Sequence, residues 1–266
     1  MNDDNNYSWD ARTYGKVSNN VQLEWGRKLL DKRRWIGNEI VMDAGAGSGN
    51  LTKILADKVR QGYVYAVDAD SNMIQQAKAD LSNCRNVQVI HSSMDKVILP
   101  TEVDVIFSNA ALHWVLDQEG VFLHFWKLLK PNRGELLLDY GGHGNLERPI
   151  SVIFKIMQSE RFKEHFANWK QSWYFPKPDE TERLLHKARF RDIQVNLSKR
   201  STSFSDRESF SIFVKTVIMK PFVGHLPDAK KKEQFVEVFL DEFEQSGEGW
   251  LLDFMRLGVF ARKILA

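Results

Sequence analysis

An acidic residue followed by glycines at alternate positions forms the stretch best suited to hold a small molecule. Asp43 comes first, and Gly45, Gly47 and Gly49 follow it at every second position. Glycine lets a backbone turn with positive φ or approach a ligand closely, because it has no Cβ. The helix expected after the last glycine begins with unpaired N–H groups. An acid here would repel a pyrophosphate but would suit an ammonium group, although an ordinary tight turn would also fit these residues.

Two further polar side chains end apolar runs later in the chain. Asp68 stands ~20 residues beyond Gly45, where an acid can accept hydrogen bonds from two ribose hydroxyls. Read alone, Asp68 could equally cap a helix, and Ser71 is the expected cap of the next helix. Asn109 ends the fourth apolar run. A nicotinamide-dependent oxidoreductase is disfavoured, because its fingerprint needs glycine or alanine where Asn50 stands.

A regular alternation of strands and helices must bring these polar residues together. Apolar runs predict strands over 39–43, 63–67, 87–91, 103–109 and 135–140. Helical patterns between them cover 49–60, 71–81 and 118–129. This alternation predicts an α/β fold with a doubly wound, mostly parallel sheet, whose ligand lies outside the carboxyl ends of the strands. The residues that fall at such ends are Asp43, Asp68, Ser93, Asn109 and Tyr140.

The remaining segments are expected to surround this sheet. Residues 1–36, with a helix predicted over 18–32, either pack on the sheet edge or cover the ligand as a lid. Helix 178–188 and strands 192–198 and 251–264 return to the sheet pattern, so the core takes the ranges 37–144, 177–200 and 251–266. Two aromatic-rich stretches, 145–176 and 201–250, are predicted to form a helical cap on the substrate side, with helical patterns over 148–176 and 206–246.

Composition narrows the class of protein. Lys and Arg total 37 against 35 for Asp and Glu, so the chain lacks the basic excess that would indicate a nucleic-acid partner. Cys84 is the only cysteine, which excludes intramolecular disulfides and thiolate metal clusters, and no metal site is expected. No apolar run approaches the ~20 residues of a membrane span. We therefore expect a cytoplasmic protein without a membrane partner, which acts on a small molecule as a monomer or homodimer.

Three motifs taken together resemble those of the class I S-adenosylmethionine-dependent methyltransferases, in particular the group of the trans-aconitate and juvenile hormone acid methyltransferases. The motifs are Asp43-x-Gly45-x-Gly47-x-Gly49, Val67–Ile74 and Phe107–Val115. Tyr14, Gln22 and Trp173–Pro176 fit the same group, so the likeness covers most of residues 7–200. The resemblance implies a Rossmann-like sheet of seven strands whose last strand runs antiparallel.

The resemblance also implies which residues hold S-adenosylmethionine. Asp43, Gly45 and Gly47 would hold its methionine moiety, Asp68 would bind the ribose, and Asn109 would lie beneath the sulfonium. The residues implied to flank the adenine are Ala69, Met73, Ser93 and Met94. Ser93 stands where many family members carry an acid, so the polar contact to the adenine falls either to Ser93 or to Asp95.

For the methyl acceptor, the resemblance implies O-methylation of a carboxylate on a small organic acid. Gln22 and Trp114 match positions that hold a substrate carboxylate in the juvenile hormone relatives, and His143 is a further candidate contact. A carboxylate is already ionised at neutral pH, so the reaction needs no catalytic base.

Other interpretations stay open for the same residues. Methylation of a phenol or a carbon atom would need a base, for which His113 and His143 are the candidates. A non-catalytic regulator that binds S-adenosylmethionine would keep the fold without methyl transfer. Trp114 could instead be a core or cofactor-stacking residue, and His113 a core histidine. Trp173–Phe175 could belong to the cap interior.

Overall fold

The computed structural model describes residues 21–265, which contain a seven-stranded sheet. Its strands are β1 (Ile40–Ala44), β2 (Tyr63–Asp68), β3 (Val87–His91), β4 (Val105–Asn109), β5 (Gly134–Gly141), β6 (Arg191–Ser203) and β7 (Leu251–Lys263). The spatial order is β3-β2-β1-β4-β5-β7-β6. Strands β1 to β5 pair in parallel, whereas β7 is antiparallel to both β5 and β6. The predicted, mostly parallel sheet with an antiparallel last strand is confirmed.

Helices cover both faces of this sheet. Within the described residues they are α1 (Val21–Leu30), α2 (Asn50–Lys58), α3 (Ser71–Asp80), α4 (Gln118–Leu128), α5 (Glu147–Met157), α6 (Pro178–Lys187), α7 (Arg207–Val217), α8 (Lys220–Val223) and α9 (Ala229–Gln245). Two short 3-10 helices lie at Leu112–Trp114 and Lys163–Phe166. Leu29 of α1 and Leu55 of α2 pack on one face, while Phe122 of α4 and Leu185 of α6 pack on the other. This arrangement confirms the doubly wound α/β fold.

Burial on both faces explains the unbroken apolar runs of the central strands. Val41 joins the cluster that holds α1 and α2, while the next residue, Met42, joins the cluster that holds α4 and α6. Successive side chains of a strand point to opposite faces, so both must be apolar when helices cover both faces. The strand order reverses between β1 and β4, and the crevice at their carboxyl ends is therefore the expected ligand site.

A further hydrophobic cluster, here called the cap core, is built mainly from aromatic side chains. Its buried members include Phe213 of α7 and Phe239 of α9. Trp25 of α1 and Phe254 of β7 also belong to it, and their rings meet edge to face at 5.1 Å between centroids. The cap core is thus continuous with α1 and with the first half of β7. The division of the chain into lid, core and cap stays a prediction.

The long helices predicted for the cap are wrong in extent. Helix α5 ends at Met157, and residues 167–177 have no regular structure. Aromatic residues recur at helical spacing here, but Trp169 and Trp173 pack against each other, with ring centroids 5.7 Å apart, within an irregular segment. The stretch predicted as helical over 206–246 is divided into α7, α8 and α9. Pro221 lies in the first turn of α8, and proline cannot continue a preceding helix.

Three smaller expectations also need correction or fall outside the described residues. Asp70, not Ser71, caps α3, because its carboxylate accepts the N–H groups of Asn72 and Met73 at 2.9 and 3.0 Å. Tyr140 is fully buried in the sheet core and does not face the crevice. Tyr14 lies outside the described residues. The helix predicted over 18–32 is described from Val21 to Leu30.

Within residues 21–265, no helix combines the length and apolar character that crossing a bilayer requires.

Candidate active site

A cleft of about 630 Å³ opens at the carboxyl ends of β1, β2 and β4, and we call it the cofactor cleft. The structure brings together here all the residues that the sequence assigned to the cofactor: Asp43, Gly45, Gly47, Asp68, Ala69, Met73, Ser93, Met94 and Asn109. Gln22 and Trp114 line the same cleft. Asp70, Asp95 and Lys96 also border it, although the sequence singled out only Asp95.

The glycine loop between β1 and α2 needs glycine at two positions for different reasons. Gly45 has a φ of +79°, and a Cβ there would collide with Ala111. Gly47 has a φ of +57°, but nothing lies within 4 Å of a Cβ built on it. Gly45 therefore allows close packing inside the protein, whereas Gly47 leaves an open approach to the backbone from the cleft. The N–H groups of Gly45 and Ala46 bond the Val67 carbonyl at 2.8 and 3.0 Å, which ties the loop to β2.

Asp43 is a buried acid at the base of the cleft, with only 2% of its surface exposed. Its Oδ2 accepts a hydrogen bond from Thr52 Oγ1 at 2.7 Å. Burial raises the pKa of Asp43 to about 7, opposed by the Thr52 hydrogen bond and reinforced by the charge of Asp68. A ligand with an ammonium group would stabilise the ionised form. Thr52 was missed from the sequence, since a threonine in the first turn of α2 carries no local signal of this contact.

Asp68 is held rigidly at the end of β2. Its Oδ2 accepts the N–H of Gly47 at 2.8 Å, and its Oδ1 accepts the N–H of Asp70 at 2.9 Å. Burial raises the pKa of this carboxyl, while the two backbone hydrogen bonds act in the opposite direction. Because a carboxylate can accept about four hydrogen bonds, Asp68 retains capacity for hydroxyl groups in the cleft.

A smaller cavity of about 70 Å³, which we call the acceptor cavity, adjoins the cofactor cleft. The two share Gln22, Ala110 and Trp114 as lining residues. Apolar side chains from α1, β7 and the cap form most of the acceptor cavity: Trp25, Leu146, Ile150, Trp173, Phe175, Val217, Ile218, Pro221, Phe222 and Phe254. Its other polar side chains are His113, Asn145 and Arg256. The acceptor cavity is therefore mainly apolar and is lined by a few polar side chains.

Arg256 of β7 lines the acceptor cavity and belongs to a charged cluster with Asp139 and Arg200. It is 3% exposed, and its Nε donates to Asp139 Oδ1 at 2.6 Å. Arg200 of β6 donates from Nη2 to the other oxygen of Asp139, also at 2.6 Å. Two guanidinium groups thus share the carboxylate of Asp139. Neither Arg256 nor Asp139 was identified from the sequence, because no local pattern marks a pair 117 residues apart.

Asn109 connects this charged cluster to the cofactor cleft and to α1. Its Oδ1 accepts from Arg256 Nη2 at 3.5 Å, and its Nδ2 donates to the backbone carbonyl of Gln22 at 3.2 Å. The orientation of the Asn109 amide is thus set from the acceptor side, while the residue itself lines the cofactor cleft.

The two histidines that the sequence offered as bases differ in position. His113 lines the acceptor cavity, and its Nδ1 accepts the N–H of Gly141 at 3.4 Å. Burial lowers the pKa of His113 to about 3, and the charge of Arg256 lowers it further in the same direction. His113 is therefore neutral at physiological pH and carries its proton on Nε2. His143 is exposed in a turn and borders neither cavity, so its assignment as a contact to the acceptor is not supported.

The aromatic candidates also occupy definite positions. Trp114 lines both cavities and is 38% exposed, which argues against the alternative that it is a core residue. Trp173 is both a buried member of the cap core and a wall of the acceptor cavity, where Phe175 lies beside it. The backbone N–H of Tyr174 donates to the His113 carbonyl at 2.8 Å, which fixes this segment against the 3-10 helix Leu112–Trp114.

Residues 41–132 match a family model described as a methyltransferase domain. With the strand order, this match and the relatives described below support the class: the chain is an S-adenosylmethionine-dependent methyltransferase with the class I fold. S-adenosylmethionine is its methyl donor, and the residues of the cofactor cleft fit this group. The cleft offers a buried acid for an ammonium group, an open backbone at Gly47, and a second acid, Asp68, with capacity for hydroxyl groups.

Three relatives match over most of this chain. An uncharacterized methyltransferase of Schizosaccharomyces pombe is 25% identical over 96% of this chain and 98% of its own length. Juvenile hormone acid O-methyltransferase of Drosophila melanogaster is 25% identical over 84% of this chain and 79% of its own length. Trans-aconitate 2-methyltransferase of Afipia carboxidovorans is 24% identical over 87% of this chain and 88% of its own length.

A solved structure shares the fold at lower identity. It is phosphoethanolamine N-methyltransferase 2 of Haemonchus contortus, in complex with phosphomonomethylethanolamine and S-adenosylhomocysteine. The TM-score is 0.61 at 17% identity, over 96% of this chain and 57% of that chain. This likeness supports the fold and says nothing about the acceptor of the present chain.

Proposed function

We propose that this enzyme methylates a carboxylate oxygen of a small organic acid. The observation that carries the proposal is the position of the Arg256 guanidinium, which lines the acceptor cavity and donates a hydrogen bond to Asn109 of the cofactor cleft. His113 lines the same cavity, and its pKa is lowered first by burial and then by the charge of Arg256, so these two side chains lie close together. An acceptor that carries a negative charge complements such a place.

The cofactor-holding roles belong to the same proposal. Asp43 accepts the ammonium group of the methionine moiety, with Gly45 and Gly47 shaping the loop around it. Asp68 accepts the ribose hydroxyls, and Asn109 lies beneath the sulfonium. The adenine lies among the side chains of Ala69, Met73, Ser93 and Met94. All of these residues border the cofactor cleft, which supports the assignment.

The chain's own residues then have to orient and desolvate the acceptor. When bound, S-adenosylmethionine supplies an electrophilic methyl group, and attack by a carboxylate oxygen yields a methyl ester and S-adenosylhomocysteine. Arg256 attracts the carboxylate to the junction, where the side chains of Gln22 and Trp114 donate hydrogen bonds to it. The aromatic walls of the acceptor cavity exclude water. Alignment of this kind can supply effective molarities of ~10⁵–10⁸ M, so no base is required.

The alternative acceptors find less support in the geometry. Phenol or carbon methylation needs a general base whose pKa lies near the operating pH. His113 has a pKa lowered to about 3 and uses Nδ1 to accept a backbone hydrogen bond, while His143 borders neither cavity. Two relatives are named for acids, namely the juvenile hormone acid and trans-aconitate methyltransferases, and this agrees with a carboxylate acceptor.

A transfer assay with labelled S-adenosylmethionine tests the proposal. The purified protein is incubated with carboxylic acids and with the matching alcohols, phenols and amines, and the product is checked for release of label as methanol by alkali. We expect label to enter only the acids, as a base-labile ester. Labelling of phenols or amines in place of acids would refute the proposal.

Variants of two arginines on the same strand sharpen this test. Arg256→Met should raise the KM for the acid by about 10- to 100-fold, since hydrogen bonds to charged groups contribute about 1.5–3 kcal/mol. Arg262→Met is the control, because Arg262 also lies on β7 but its side chain is exposed, pairing with Glu135 and Asp192. Because Arg256 is buried, Arg256→Lys is measured alongside, with thermal unfolding to confirm the fold. Equal KM values for the Arg256 and Arg262 variants would contradict the role.

A further inference from the structure

Asn145 lines the acceptor cavity with a buried oxygen that has no hydrogen-bond partner. The residue lies in the loop between β5 and α5 and is 6% exposed. Its Oδ1 accepts no hydrogen bond from any residue of the described chain, 21–265. Most buried polar atoms have a partner, because burying one without a partner carries a desolvation cost. An exception at the wall of a substrate cavity indicates that the partner is supplied by what binds there.

The backbone around Asn145 is held in a conformation that would not form without support. Gly144 has a φ of +79°, and Leu146 has a φ of +55°, which is unusual for a residue with a branched side chain. The Asn145 N–H bonds the Gly142 carbonyl at 3.0 Å, and the Leu146 N–H bonds the Asp253 carbonyl at 3.2 Å. These backbone bonds fix the loop, so the Asn145 oxygen is not needed to hold it. Strain of this kind is often kept where it serves a site.

The Asn145 amide also takes space that only a glycine at position 141 leaves open. A Cβ at Gly141 would come within 3.0 Å of Asn145 Nδ2 and 2.6 Å of Phe175 Cε1. Gly141 pairs with Arg256 across the β5–β7 ladder, and its N–H donates to His113 Nδ1. Asn145, His113 and Arg256 therefore surround one backbone position, and together with Gln22 they are polar side chains in a mainly apolar cavity.

We propose that Asn145 determines specificity by accepting a hydrogen bond from a second polar group of the acceptor, a hydroxyl or N–H group separate from its carboxylate. The preferred acceptor is then a hydroxy acid or an amide-bearing acid with an otherwise apolar skeleton. The carboxylate in this description rests on the proposed function, whereas the hydrogen bond to Asn145 rests on the loop and the unpartnered oxygen. A site built to bond a hydroxyl discriminates strongly against the analogue that lacks it.

The first test needs no acceptor. Asn145→Leu replaces the amide by a side chain of similar size without a polar atom. If the oxygen serves only the acceptor, the variant should unfold at the same temperature as the wild type or higher, in the absence of ligand. A fall of more than about 4 °C would show that the amide stabilises the fold, and it would overturn the proposal.

The second test compares matched acids. Hexanoate, its monohydroxy derivatives, 6-amino-6-oxohexanoate and 5-oxohexanoate are offered to the wild type, to Asn145→Leu and to Ile150→Val. One hydroxy or amide acid should exceed hexanoate in kcat/KM by about 10- to 100-fold in the wild type, and by less than about threefold in Asn145→Leu. Ile150 lies on the apolar wall of the same cavity, so Ile150→Val should affect both members of a pair alike.

The outcomes separate this inference from the proposed function. Methylation of all the acids with no preference for a hydroxyl or amide would refute the role of Asn145 and leave the carboxylate proposal intact. A preference for 5-oxohexanoate would show that the amide presents its N–H group, which overturns the assigned donor. A hydroxyl preference that depends on Asn145 but appears with alcohols or phenols instead of acids would refute the carboxylate and support Asn145.

Discussion

If Asp43 holds the ammonium group as proposed, lowering the pH should weaken the binding of S-adenosylhomocysteine, because this contact needs Asp43 in the ionised form. Burial, opposed by the Thr52 hydrogen bond and reinforced by Asp68, raises the pKa of Asp43 from 3.8 to about 7. In the complex the ammonium group favours the carboxylate, so the pKa falls again. Binding and deprotonation of Asp43 are therefore linked.

The structure sets the size of this effect. Above about pH 7 the affinity should be independent of pH, and below it the association constant should fall by up to about tenfold per pH unit. At about pH 6, one unit below the pKa, binding should release about 0.9 proton, because roughly ten of every eleven molecules begin with Asp43 protonated. S-adenosylhomocysteine carries the same amino-acid end as the methyl donor, which makes it a suitable ligand for this measurement.

The same pKa shift predicts how the ligand-free protein responds to pH. The pKa of Asp43 is higher in the folded than in the unfolded state. The contribution of Asp43 to stability is therefore fully present below about pH 4 and is lost as the pH rises to about 7. A difference of about 3 pKa units changes the free energy of unfolding by about 4 kcal/mol. Asp43→Asn should therefore raise the thermal stability of the ligand-free protein at pH 8 and change it little at pH 4.

Calorimetry in buffers with different ionisation enthalpies measures both affinity and proton release. Asp43→Asn should bind more weakly at pH 8 and lose most of the dependence on pH. Asp57→Asn is the control, because Asp57 lies on α2 but is exposed, and it should keep the wild-type slope. A wild-type affinity that is flat between pH 5 and 7, or an unchanged slope in Asp43→Asn, would refute the linkage.

Three further outcomes follow from the same site. Asp68→Ala should weaken S-adenosylhomocysteine binding by about 10- to 100-fold with an intact fold, as charged hydrogen bonds contribute about 1.5–3 kcal/mol; unchanged affinity in calorimetry would remove Asp68 from the ribose. Gln22→Ala and Trp114→Phe should raise the acceptor KM about tenfold, the effect of losing about 1.4 kcal/mol, and an effect on cofactor affinity alone would contradict their role. Gly45→Ala should lower the free energy of unfolding by at least about 2 kcal/mol, through positive φ and collision with Ala111. Gly247→Ala, at positive φ in open space, should cost only about 1 kcal/mol in the same urea titration, and equal losses would argue against the collision.

The grouping of the proposed donor residues in one cleft was predictable because its signals are local. Asp43 and Asp68 each end an apolar run, and a parallel sheet brings such ends to one edge without further information. The fold follows from the same alternation of strands and helices. Gly45 and Gly47 lie in one short loop, so their closeness in space follows directly from their closeness in the sequence.

The acceptor side was not predictable because its contacts join distant parts of the chain. Arg256 reaches Asp139 only because β7 inserts between β5 and β6, and nothing near residue 256 in the sequence records that neighbour. The position of the Asn145 side chain depends on a loop in which Gly144 and Leu146 have positive φ. A leucine gives no signal in the sequence of this conformation. In the cap, aromatic residues at helical spacing predicted helix through 176, but packing among rings determined an irregular path instead.

The position of β7 also bears on the order in which the two cavities become complete during synthesis. Among the described residues 21–265, those that line the cofactor cleft all precede residue 118, whereas Arg256 of the acceptor cavity follows much later. A ribosome therefore makes the whole donor-binding set long before it makes Arg256. A nascent chain that already holds the donor residues would lack the group that attracts an acid. On the proposed function, methyl transfer to acids would therefore require a chain in which β7 has already been made.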